Sequence, residues 1–164
     1  MNIKIELISE SDLADESFNI VIDGLKPRET YRVEMYLTDY YCINAPMLLA
    51  HNVLWKSTAT FVSDKNGIID ISQTPSCSGS YEGISTMGLF FNAKPLTNER
   101  KKLPNSLSEI PLLDHFFVDI KIMQGNTVIA ERTFTRHYMS SQISHQDIYG
   151  KHFHLLKLFP HEIY

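Results

Sequence analysis

Residues 77–91 read Cys-Ser-Gly-Ser-Tyr-Glu-Gly-Ile-Ser-Thr-Met-Gly-Leu-Phe-Phe, a serine- and glycine-rich run with an abrupt apolar end. Serines in such a setting could serve as acyl-transfer nucleophiles. A nucleophile elbow requires Gly-x-Ser-x-Gly, because the strained strand-to-helix turn demands small residues two before and two after the serine. Ser80 has Ser78 and Glu82 at those places, and Ser78 has Ser76 and Ser80. The glycines spaced four apart, Gly79 and Gly83, bracket Tyr81 instead. No apolar parallel strand precedes the run and no helical pattern follows it. The pattern fails, and the run reads as a glycine-allowed turn entering a strand, with Tyr81 as a packing residue.

Histidine offers a second chemistry. His152-Phe153-His154 places two imidazoles on one face of a strand, and His161 follows. An H-x-H pair can open a metal site, but no third ligand stands at a diagnostic spacing. His51, His115, His137 and His145 are isolated, Cys42 and Cys77 fit no metal spacing, and phosphate-cradling glycine motifs are absent. No catalytic, cofactor-binding or metal-binding residue is assigned, and no cofactor is expected.

The elements that must position these residues follow from size and pattern. A chain of 164 residues reads as one domain over 1–164. At that length it buries roughly 70% of its unfolded surface without metal or disulfide staples. A formal net charge of −4, with basic residues scattered, points away from nucleic acid and anionic membranes as partners. The start Met1-Asn2-Ile3-Lys4-Ile5-Glu6 lacks an apolar signal core, and no apolar run reaches membrane-spanning length. Cytoplasmic location with reduced thiols is the expectation.

Period-2 alternation dominates. Phe18, Ile20 and Ile22 alternate with Asn19, Val21 and Asp23. Tyr31, Val33, Met35 and Leu37 alternate with Arg32, Glu34, Tyr36 and Thr38. Phe116, Val118, Ile120 and Ile122 alternate with Phe117, Asp119, Lys121 and Met123. Such spacing puts one face of each strand in a core. Asp23-Gly24-Leu25-Lys26-Pro27, Asp64-Lys65-Asn66-Gly67 and Gln124-Gly125-Asn126-Thr127 supply the turns. Strands are expected near 3–8, 17–23, 30–38, 51–62, 68–71, 86–92, 115–123, 128–138 and 152–159. The fold class is all-β, an immunoglobulin-like antiparallel β-sandwich of seven to nine strands. Residues 94–111 are expected as a long polar loop, and 139–164 as a strand and linker. Tyr40, Tyr41 and Trp55, if exposed on one face, would form a protein- or sugar-binding platform.

The stretch from Asn66-Gly67 to Pro95 also carries a resemblance. Its turn, the short strand Ile68–Ile71, the Gly79-Ser80-Tyr81-Glu82-Gly83 turn and Met87-Gly88-Leu89-Phe90-Phe91 together resemble the N-terminal domain of the acyl-CoA thioesterase and bile acid-CoA:amino acid N-acyltransferase family. Gly24-Leu25-Lys26-Pro27 and Ala130–Tyr138 resemble flanking parts of that domain. The family often has Val-Asp-Pro before Met-Gly-Leu and tryptophan after it. Ile84-Ser85-Thr86 and Phe90 stand there instead, so the chain looks like a divergent member.

The resemblance implies an accessory β-sandwich that packs on a C-terminal α/β-hydrolase domain in the same protein. Acyl-CoA would be met only through that domain, where the family's nucleophile, acid and histidine lie. None of those residues has a counterpart here, so the chain alone is expected to be inactive. The alternative is a stand-alone β-sandwich module binding protein or carbohydrate. Under the first reading the motif residues Gly79, Ser80, Tyr81, Gly83, Met87, Gly88, Leu89 and Phe91 are the candidate domain interface. Strand alternation would set Met87, Leu89 and Phe91 on one face and Gly88 and Phe90 on the other.

Overall fold

The computed structural model describes residues 2–38, 40, 53–96, 114–138, 140, 143–150 and 153–160. Two antiparallel sheets face each other across one core. The smaller contains β1 (Lys4–Ile8), β2 (Asn19–Asp23) and β5 (Ile69–Asp70), in the order β1-β2-β5. The larger contains β3 (Thr30–Thr38), β4 (Trp55–Val62), β6 (Ser78–Gly79), β7 (Lys94–Pro95), β8 (His115–Gln124) and β9 (Thr127–His137). Its order is β6-β4-β3-β8-β9, with β7 also pairing β4. A separate hairpin joins β10 (Ile143–Gly150) to β11 (Phe153–Pro160), in register from Ile143↔Pro160 to Gly150↔Phe153. The fold is therefore an all-β antiparallel sandwich. Eight of its described strands are five residues or longer.

The alternating residues do what their period demands. Ile5, Ile20, Ile22 and Ile69 from the small sheet meet Tyr31, Val33, Met35, Leu37, Ala59, Phe61, Phe116, Val118, Ile120 and Ile122 from the large one. All are buried, and their removal from water is the main stabilising term.

A buried arginine helps tie the sheets together. Arg136, on β9, is 1% exposed and stacks on Phe18 with its guanidinium carbon 5.2 Å from the ring centroid. It donates to the carbonyls of Ser11 (2.9 Å), Glu16 (2.6 Å) and Leu13, and to Ser9 Oγ (3.1 Å). Those acceptors all lie in the β1–β2 connection, so the cation satisfies loop carbonyls that water would otherwise take. Burial pushes the guanidinium below its ordinary value, while Asp12, Glu16 and Asp15 act in the other direction.

Three local expectations need correction. Residues 86–92 do not form a strand: Gly88–Phe91 is a single helical turn, α1. Gly88 N–H donates to Ser85 O, Phe91 N–H to Met87 O and Asn92 N–H to Gly88 O. The β4 edge, where a further strand would pair, is already occupied by β6 and β7. The alternation of Met87, Leu89 and Phe91 on one face is lost with the strand. Second, the expected polar loop 94–111 opens on a strand, because Lys94–Pro95 pairs with Lys56 and Trp55; residues 97–111 lie outside the described residues. Third, 139–164 holds two strands rather than one. Cys42, His51, His152 and His161 also lie outside the described residues.

Candidate functional site

The motif turn is built onto the β4 edge. Ser80 N–H donates to Thr58 O at 2.7 Å, and Thr58 N–H donates to Ser80 Oγ at 3.0 Å. Cys77 N–H donates to Thr60 O. The Ser80 hydroxyl, which fails the elbow pattern in sequence, is thus an acceptor for a strand amide. The described residues give it no histidine partner. Ser76 closes the turn from the other side: its amide and carbonyl exchange hydrogen bonds with Gly83, and its Oγ contacts the carbonyls of Ser78 (3.0 Å) and Tyr81 (2.9 Å).

Two glycines are required by this construction. Gly79 has φ +124°, and a Cβ there would lie 2.3 Å from Thr58 O and 2.8 Å from Ala59 Cα. Only a residue without a side chain lets the turn approach β4 this closely. At Gly88 the obstacle is different: a Cβ would sit 2.4 Å from the Tyr81 ring. Tyr81 therefore lies flat against the first residue of α1. Burial pushes its phenol up to about 12.

The remaining motif residues divide between inside and outside. Leu89 is buried at 1% exposure. Met87 is half-buried, and its Sδ accepts the Phe18 amide at 3.3 Å. Phe90 meets Phe18 edge-to-face at 5.7 Å and Tyr40 at 5.3 Å; Tyr40 in turn meets Trp55 and Phe116. Phe91 is 74% exposed, and so are two neighbours in sequence that the motif reading missed, Ile84 at 62% and Leu96 at 57%. The signal for them is weak in sequence, since an isolated apolar residue in a turn looks the same whether it faces in or out. Tyr40 and Trp55 are half-buried and packed in the aromatic network, not displayed as a flat platform; Tyr41 lies outside the described residues.

A second polar assembly was not picked out by sequence. Glu34, on the outer face of β3, is 7% exposed. Tyr36 Oη donates to it at 2.7 Å, Lys56 Nζ lies 3.0 Å from Oε2 and Arg32 Nε 3.0 Å from Oε1. Burial raises its carboxyl, but the bonds from Tyr36 and Lys56 and the charges of Lys56 and Arg32 outweigh that and hold it below the ordinary 4.5. Every charge is partnered, so the assembly reads as a sheet-face network without free valence for a substrate. Among the described residues no group of three or more His, Cys, Asp or Glu could hold a metal ion.

This geometry defines a β-sandwich whose serine-rich turn is structural. A family description, the acyl-CoA thioester hydrolase/BAAT N-terminal region, matches residues 15–149. The chain belongs to that family. Among curated proteins it is similar to several from Mus musculus, three of which follow. Acyl-coenzyme A amino acid N-acyltransferase 1 is 28% identical over 95 residues, 58% of this chain and 20% of that protein. Acyl-coenzyme A thioesterase 6 is 24% identical over 131 residues, 77% and 28% respectively. Bile acid-CoA:amino acid N-acyltransferase is 29% identical over 92 residues, 56% and 20%. The chain thus spans less than a third of the length of these relatives. No helix among the described residues is long and apolar enough to cross a membrane.

Proposed function

We propose that this chain is the accessory β-sandwich of an acyl-CoA thioester hydrolase or acyltransferase. It packs in cis on a C-terminal α/β-hydrolase domain that carries the chemistry and restricts access of acyl-CoA to it. The observation that carries this reading is the family match over 15–149, with relatives several times longer than the matched part. Three exposed apolar side chains within residues 84–96, Ile84, Phe91 and Leu96, support a docking role for that stretch. Contacts between domains of one chain bury roughly 600–1,500 Å², which needs several such apolar anchors. Gly79, Ser80, Tyr81, Gly83, Met87, Gly88 and Leu89 hold this side in shape, and Phe91 touches the partner domain. Cytoplasmic location and a role in acyl-CoA and fatty acid metabolism belong to the same proposal.

Hydrogen exchange of the chain, alone and mixed with the part of mouse acyl-coenzyme A thioesterase 6 outside its matched region, tests it. Slowed exchange is expected across 84–96, and Phe91→Asp should remove it. Binding with 84–96 unprotected would move the interface elsewhere. No binding with any relative would favour a stand-alone module.

A further inference from the structure

Two histidines that stand apart in sequence meet across a strand pair. His115 opens β8, His137 closes β9, and the two are direct partners in the ladder. Beside them Tyr138 N–H donates to Asp114 O at 2.8 Å. The histidines therefore form a non-hydrogen-bonded pair, the kind in which facing side chains come closest. Their ring centroids are 5.9 Å apart, with the planes inclined at 54°. As sequence both are isolated; the β8–β9 register brings them together.

Each ring is oriented by a carboxylate. His115 Nδ1 lies 2.5 Å from Asp114 Oδ1, and His137 Nε2 lies 3.6 Å from Asp12 Oδ2. The His115 ring also meets Phe117 edge-on at 5.0 Å. A carboxylate beside one ring nitrogen places the proton there and leaves the lone pair on the other. His115 thereby offers Nε2, and His137 offers Nδ1. An ion about 2 Å from one nitrogen of each of two imidazoles holds the ring centroids roughly 5–6 Å apart, depending on the angle at the metal. The observed spacing falls in that range. Imidazoles backed by carboxylates suit late first-row divalent ions, whereas Mg²⁺ and Ca²⁺ take oxygen ligands.

We propose that His115 and His137 form a two-imidazole site for a late first-row divalent ion, Zn²⁺ or Cu²⁺, with Asp114 and Asp12 orienting the ligands and water completing the shell. Two protein ligands are fewer than a structural ion takes, so the site is an exchangeable one. The histidine side chains are 36% and 37% exposed, which lets an ion enter from solvent. Its place in the fold gives the ion a consequence. His137 N–H donates to Asp12 O at 2.8 Å, and Ala14 N–H donates to His137 O at 2.8 Å. The β1–β2 connection is thus laced to β9 at this residue. Arg136, one position earlier, grips the same connection from the buried side. An ion across His115 and His137 pins the exposed side of that joint to β8 as well.

Calorimetric titration of Zn²⁺ into metal-free purified chain tests the site, with the imidazole NMR signals identifying the ligands. The signals of His115 and His137 should move together, and Cu²⁺ should bind more tightly than Zn²⁺. Asp114→Asn should weaken binding about tenfold, the effect of losing an orienting carboxylate, and His115→Ala or His137→Ala about a hundredfold or more. Urea unfolding verifies that each variant is folded. His154→Ala on β11, which removes a member of the His152-Phe153-His154 run, should leave the affinity unchanged. With Zn²⁺ bound, hydrogen exchange at the Ala14 and His137 amides should slow, and Mg²⁺ should have no such effect. Absence of Zn²⁺ binding, binding that survives His115→Ala or His137→Ala in a folded variant, or binding abolished by His154→Ala overturns the proposal.

Discussion

Phe116 and Phe91 lie at opposite ends of one aromatic network, joined through Phe90, whose ring is 6.3 Å from the first and 5.9 Å from the second. Phe116 is 0% exposed and Phe91 is 74% exposed. The same residue type, two rings apart, is core at one end and surface at the other. The cause is local. Phe116 belongs to a strand, and period 2 aims it between the sheets. Phe91 ends a helical turn whose only fully buried side chain is Leu89, and the turn carries Phe91 away from the core. The core end holds the fold together; the surface end is free for another use.

The largest effect should separate the two ends. Phe116→Ala should cost about 3–5 kcal/mol in urea unfolding, whereas Phe91→Ala should stay within about 0.5 kcal/mol of the parent. Equal losses would show that Phe91 is core and would remove the reason for a docking face.

The glycines of the motif come next. Gly79→Ala adds a Cβ at positive φ against the β4 backbone, and Gly88→Ala drives one into the Tyr81 ring. Each should cost more than about 1 kcal/mol, with Gly79 the worse, because a ring can shift and a strand carbonyl cannot. Thermal denaturation of the two variants gives the order directly, and a milder Gly79→Ala would show that the turn can leave β4 without harm.

A smaller effect belongs to the outer sheet face. The Glu34 carboxyl is held below its ordinary 4.5, so its contribution is fully present above that pH and fades as pH falls through the lower folded value. Glu34→Gln should lower stability at neutral pH and flatten its decline under acid. Parallel stability-against-pH curves for the two proteins would show that the network contributes nothing.

The strands of the sandwich were legible because alternation is a property of neighbours in sequence: β2, β3 and β8 follow from Ile20, Val33 or Ile120 and their period. The α1 turn was not. Met87-Gly88-Leu89-Phe90-Phe91 has strand-like composition, and the deciding fact, that β6 and β7 already fill the β4 edge, is a long-range one. Arg136 was invisible for a related reason: its acceptors at Ser11, Leu13 and Glu16 lie more than a hundred positions away. The failure of the elbow pattern at Ser80 was legible from two residues, Ser78 and Glu82.

The central claim is that the serine-rich turn is scaffold and not a nucleophile site. Release of free CoA thiol from short- and long-chain acyl-CoA by purified 1–164 tests it most directly. Since Ser80 Oγ accepts the Thr58 amide, no turnover above the uncatalysed rate is expected, and Ser80→Ala should change only stability, by about 1 kcal/mol. Turnover that disappears on Ser80→Ala would contradict the account.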